Sequence, residues 1–121
     1  MRNFRDLQIW QESLQLAVTA YELAKELPKE EVYGLRSQIT RAAVSIASNI
    51  AEGCSRKSER DFSRFLDISL GSAFELETDL IICQETGLLR VDIVTNYLER
   101  LHTTQRRINA LNTKLTKRFR G

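Results

Sequence analysis

An all-α fold, arranged as an antiparallel up-down-up-down four-helix bundle, is what the sequence predicts, and three observations predict it. The chain has only one Pro and five Gly in 121 residues, and its abundance of Leu, Ala, Glu, Arg and Ser favours helix over strand. Apolar residues recur at alternating steps of three and four, the period of a helix face. The breaks between periodic segments are short, roughly five residues each, which turns successive helices antiparallel. The length suffices for one hydrophobic core. One domain over residues 1–121 is expected, with helices at about 6–26, 32–53, 58–86 and 92–118.

In the first helix Leu7, Trp10, Leu14, Ala17, Tyr21 and Ala24 form one stripe expected to be buried, and Pro28 ends the segment. The second helix begins between Lys29 and Leu35, blurred by Gly34, and Gly53 reads as its C-terminal cap. Ser58 with Asp61 resembles a capping box opening the third helix, which Gly87 closes. Asp92 can cap the fourth, which continues through Ile93, Tyr97, Leu101, Ile108, Leu111 and Leu115.

The stretch "RAAVSIASNIAEGCSRKS", residues 41–58, is rich in small side chains. At about 100° per residue, Ala43, Ile46 and Ile50 share one face with Ile39, while Val44, Ala47 and Ala51 make a second apolar face. Arg41, Ser45, Asn49 and Glu52 fall on one polar stripe with Gln38. The third helix offers Ser69, Gly71, Ser72 and Ala73 in "SLGSAFELE". A mid-helix Gly costs about 1 kcal/mol against Ala, so Gly71 is expected to admit a close neighbour. Glu77 falls among Leu66, Leu70, Ala73 and Leu80, where a carboxylate needs a partner. Arg41 is the expected one, with Ser45, Asn49, Glu52 and Glu75 as further members of a buried polar network that fixes helix register.

The segments "DLQIWQ", "YGL..Q..RA..SI..NIAEG" and "GSAFELE", in that order and spacing, resemble the four-helix bundle family of 23S rRNA intervening-sequence proteins. The resemblance covers nearly the whole chain and is loose over the last 30 residues. It implies a bundle that assembles into a ring-like homopentamer. A more distant relative, the accessory variability protein of diversity-generating retroelements, is likewise a pentameric bundle that binds nucleic acid and reverse transcriptase.

Charge is distributed unevenly. Residues 90–121 carry a net +6 and residues 1–89 a net −4, giving +2 for the chain. This favours an acidic partner for the fourth helix, RNA or DNA, contacted through Arg100, Arg106, Arg107, Lys114, Lys117, Arg118 and Arg120, with Arg56 and Lys57 of the turn between the second and third helices adding to the surface. Self-assembly is suggested independently: "LIIC" at residues 80–83 spreads apolar groups around the third helix, and the second apolar face of the second helix also needs cover. Loop packing over the third helix is the simpler alternative for the first of these.

No apolar run suits a membrane span or a secretion signal, so a cytoplasmic protein without membrane association is expected. Cys54 and Cys83, 29 positions apart, suit reduced thiols better than a disulfide or zinc site. Glu99 and His102 have the Glu-x-x-His spacing of di-iron bundles, but His102 is the sole histidine and half the ligands of such a site are missing. No phosphate-binding loop, dinucleotide fingerprint or nucleophile paired with a base occurs. The expectation is therefore a non-enzymatic chain with no metal and no cofactor: a homo-oligomer that binds nucleic acid, or an oligomeric protein-interaction scaffold whose charge serves solubility.

Overall fold

The computed structural model describes residues 2–120. Four α-helices follow one another, α1 (Gln8–Lys25), α2 (Leu35–Cys54), α3 (Glu59–Glu85) and α4 (Val91–Arg120), with short 3-10 turns at Phe4–Asp6 and Lys29–Glu31. The described residues contain no strand, and none of their helices is long and apolar enough to cross a membrane.

Local side chains and backbone turns finish several helix ends. The Arg36 guanidinium donates to the Ala24 carbonyl at 2.8 Å, a second donor beside the Leu27 N–H on an acceptor in the last turn of α1. Glu31 accepts the Leu35 backbone N–H at 3.1 Å, opening α2 where Gly34 has no side chain to offer. Ser58 accepts the Asp61 N–H at 3.1 Å at the start of α3. Gly87, at φ +77°, lets the chain turn back so that Leu88 and Gly87 donate to Cys83 and Gln84, the paired bonds of a Schellman ending. Asp92 does not cap α4: the helix begins at Val91, and Asp92 in its first turn takes the Arg90 guanidinium at 3.0 Å.

Packing is most extensive between α2 and α3 and thinnest between α1 and α4. Ile39, Ile46 and Ile50 of α2 meet Phe62, Leu66, Leu76 and Leu80 of α3 in a fully buried core, completed by Leu16 of α1 and Leu101, Ile108 and Leu115 of α4. Each such side chain contributes about 1.5–3 kcal/mol relative to exposure. The close approach of α2 and α3 depends on Gly53, which is buried inside the helix and is not its cap. A Cβ there would lie 2.7 Å from the Phe62 ring and 2.9 Å from the Phe65 Cβ. Gly71, by contrast, is exposed, with nothing within 4 Å of the same position, so it admits no neighbour within this chain.

The buried stripe of α1 also differs from expectation. Ala17 and Ala24 are buried, but Leu14 and Tyr21 are 39% and 51% exposed, and the core face is instead Ile9, Ser13, Leu16, Ala20 and Leu23. α1 carries two apolar arcs, and the stripe read from the sequence straddles them. The outer arc, with Leu14, Val18 and Tyr21, is left open beside Val44 of α2. On α3, Ile81 and Ile82 also remain about two-fifths exposed, so no loop covers the "LIIC" segment.

Candidate functional site

Two groups of polar residues stand out. The first is the outer seam of α2 and α3. Small side chains bring the helices close enough for direct hydrogen bonds: Ser45 and Ser72 hydroxyls pair at 2.7 Å, and Ser69 donates to the Ile46 carbonyl at 2.6 Å. The Asn49 amide donates to the Ser45 carbonyl and hydroxyl at 2.8 and 2.9 Å. Ser45 and Asn49 thus form the half-buried heart of the expected network, with Ser69 and Ser72 as members that the polar stripe of α2 alone did not reveal.

The charged members do not join them. Arg41, Glu52 and Glu75 are exposed. Glu52 accepts from Arg56 at 2.9 Å within its own helix, while Arg41 and Glu75 line an open cleft of about 550 Å³ together with Tyr21, Gln38, Ser45 and Ser72. Arg41 and Glu77 are not a buried pair. Glu77, two residues from Glu75, points to the other side of α3 because a helix turns about 200° over that interval, and it meets His102 of α4 at 3.0 Å. The carboxylate that is buried is Asp79, 4% exposed, with Oδ2 lacking a hydrogen-bond partner among the described residues. Burial, reinforced by the negative charge of Glu75, pushes its pKa up to about 6. Its position seven residues after the buried Ser72, nearly the same face of α3, was the sequence signal for this placement.

The second group is cationic. Every residue assigned to nucleic-acid contact (Arg56, Lys57, Arg100, Arg106, Arg107, Lys114, Lys117, Arg118 and Arg120) is exposed. Some are engaged within the chain. Arg107 is ion-paired with Glu12 of α1, Arg118 lies 3.3 Å from Glu59, and Arg56 lies over the Phe65 ring at 4.8 Å. Arg100 and Arg106 donate to the Thr19 and Thr103 hydroxyls, both at 3.3 Å. Lys57, Arg106, Lys114, Lys117 and Arg120 have no ion pair among the described residues.

The fold brings separate basic segments together. Glu59, at the start of α3, takes both Arg2 and Arg118, so the segment at Arg2, the turn carrying Arg56 and Lys57, and the last turns of α4 share one end of the molecule. There Arg60, Arg64 and Arg120 line a cleft of about 490 Å³, tempered by Asp61 and Asp67. Arg60 and Arg64 were diluted in the sequence by their acidic neighbours, and only helix register places them beside Arg120.

Nothing in these groups resembles an activated nucleophile. Cys83 and Cys54 are buried free thiols whose pKa values are raised by burial, that of Cys83 to about 11. His102 contacts Glu77 across the helix pair, away from the Glu99 of its own Glu-x-x-His spacing. Among the described residues no group of three or more His, Cys, Asp or Glu is placed to hold a metal ion.

The chain matches the family described as 23S rRNA-intervening sequence protein over residues 5–110. It belongs to that family. The matched segment takes in α1, α2, α3 and two-thirds of α4, and stops before the cations at Lys114, Lys117, Arg118 and Arg120. The same fold is found in the crystal structure of a Bacteroides thetaiotaomicron protein of the S23 ribosomal protein family, described there as of unknown function. It is 25% identical, with a TM-score of 0.80, covering 86% of this chain and 97% of that one. No curated protein matches the chain.

Proposed function

We propose that this intervening-sequence family member is a non-enzymatic, cytoplasmic, homo-oligomeric bundle that binds RNA or DNA through its basic α4 and the adjoining turn at Arg56 and Lys57. The observation that carries this reading is the convergence of unpaired cations on α4 and at one end of the molecule, where phosphates would be met by several side chains at once. The antiparallel up-down-up-down topology is supported by the order of cross-helix contacts. The end of α1 meets the start of α2 through Ala24 and Arg36, the middles of α2 and α3 meet through Ser45 and Ser72, and the start of α3 meets the later part of α4 through Ser63 and Asn112.

Assembly is supported by apolar side chains left open on two flanks. Leu14, Val18, Tyr21 and Val44 lie along α1 and α2. Phe74, 63% exposed, and Ile81 share a helix face with Glu77, on the side turned to α4. Two different patches suit a head-to-tail contact, which closes into a ring when the rotation permits; five subunits is the number that family resemblance implies. A ring would repeat the α4 surface in each subunit, so weak contacts would add through effective concentration.

The test is purification at moderate salt, with light scattering for mass and absorbance for co-purifying nucleic acid. An oligomer carrying RNA or DNA that a salt wash removes is the expected result. An oligomer that is free of nucleic acid and captures none at low salt would leave the protein-interaction scaffold as the better reading.

A further inference from the structure

The thin contact between α1 and α4 leaves a seam on the surface, and its chemistry differs from that of the rest of α4. Two clefts follow one another along it. The larger, about 430 Å³, has Leu16 at its floor and Gln8, Gln15 and Thr103 on its walls. The smaller, about 200 Å³, is lined by Leu23, Ile93 and Asn96. Arg100 lines both. Its guanidinium is held from one side by Thr19 at 3.3 Å and lies 6.0 Å from the Tyr97 ring. Tyr97 itself is locked in the core, its hydroxyl donating to the Leu16 carbonyl at 2.7 Å.

An apolar floor, amide-bearing walls and a planar cation between two hollows match the needs of unpaired nucleobases. Base faces seek apolar or guanidinium planes, base edges seek donors and acceptors, and Gln and Asn side chains offer both. A phosphate linking two such bases would fall near Arg100. Glu12, the one acid on the wall of the larger cleft, is engaged by Arg107 and Thr104, so its charge is offset where a strand would pass. Gln11 is committed to the Arg5 carbonyl at 2.7 Å, whereas Gln8, Gln15 and Asn96 are exposed. A duplex, with its bases stacked and paired, cannot present them to so narrow a seam.

We propose that the α1–α4 seam binds bases of single-stranded nucleic acid, with Gln8, Gln15 and Asn96 meeting base edges and Arg100 holding the strand between the two clefts. This rests on the nucleic-acid reading above and adds to it a preference for unpaired bases, where phosphate contact alone would be indifferent to them.

The experiment titrates the full chain against a fluorescein-labelled single-stranded oligonucleotide and against its counterpart with abasic sites, which keeps the phosphates and lacks the bases. Fluorescence anisotropy is followed at several salt concentrations. Loss of the bases should weaken binding by about tenfold or more. Replacing Gln8, Gln15 and Asn96 together by Ala should remove that preference while leaving the salt dependence unchanged. Equal affinity for the two oligonucleotides, with steep salt dependence, would overturn the seam assignment and leave phosphate binding by α4 standing. Binding of neither at low salt would overturn both. A drop in oligomer mass for the triple Ala variant would identify the seam as a contact between copies and overturn the base-binding assignment.

Discussion

Asp79→Asn is the substitution for which the structure gives the most detailed expectation. The carboxylate is 4% exposed, and its Oδ2 finds no hydrogen-bond donor among the described residues, so ionisation in the folded chain is costly. Its pKa rises from 3.8 to about 6 through burial first and the charge of Glu75 second. The folded state therefore keeps a proton that the unfolded state releases over that interval. Stability is fully present below the unfolded pKa and is lost as pH rises through the folded one. About two pKa units at roughly 1.4 kcal/mol each give a loss of about 3 kcal/mol. Asn removes the charge and keeps the shape. Its amide also lacks partners, at a cost of about 1–3 kcal/mol that is the same at every pH. The stability of the variant minus that of the parent should thus rise by about 3 kcal/mol between about pH 3.5 and about pH 7.5. Urea unfolding at both pH values measures this. A difference that does not change with pH would refute the reasoning, and would mean that the Asp79 carboxylate has a donor, for example from a second copy.

Gly53→Ala should destabilise the chain by about 1–3 kcal/mol in thermal or urea unfolding, because its new methyl group would press on Phe62 and Phe65. Gly71→Ala should stabilise it by about 1 kcal/mol, since the position is helical, exposed and open. Should the same substitution lower the oligomer mass in light scattering, Gly71 would be a close-approach site between copies. Arg41→Ala should change stability by no more than about 0.5 kcal/mol, as for other exposed sites without an ion pair. A loss of roughly 3 kcal/mol, the cost of breaking a buried pair, would contradict its placement at the rim of the cleft.

Four helices were legible in the sequence because local signals specify them. Pro28, the Ser58–Asp61 pair and Gly87 act within a turn of where they stand. The family was legible for a related reason, since "NIAEG" and "GSAFELE" are continuous local segments, and both fall within the matched residues 5–110. Which face turns inward was less legible. α1 has apolar residues on two arcs, and periodicity cannot rank Leu14 and Tyr21 against Leu16 and Leu23 without the neighbouring helices. Pairing across helices was the least legible of all. Arg107 finds Glu12 and Arg118 finds Glu59 through register between helices distant in sequence, and Glu77 turns to His102 where Arg41 was expected. Asp79 was overlooked because its immediate neighbours suggest an ordinary amphipathic turn. It shares the face of α3 that carries Ser72, which pairs with Ser45 of α2.

The central claim, phosphate binding by α4, is tested most directly by the salt dependence of nucleic-acid affinity for the parent and for Arg106→Gln/Lys114→Gln/Lys117→Gln. These three cations have no ion pair among the described residues, so their replacement leaves no carboxylate stranded, as replacing Arg107 would strand Glu12. The parent should show log affinity falling linearly with log salt, because bound phosphates release counterions. The triple variant should bind more weakly and with a shallower slope, while light scattering reports an unchanged mass. Equal affinity and equal slope for the two proteins at every salt concentration would contradict the account and remove α4 as the nucleic-acid surface.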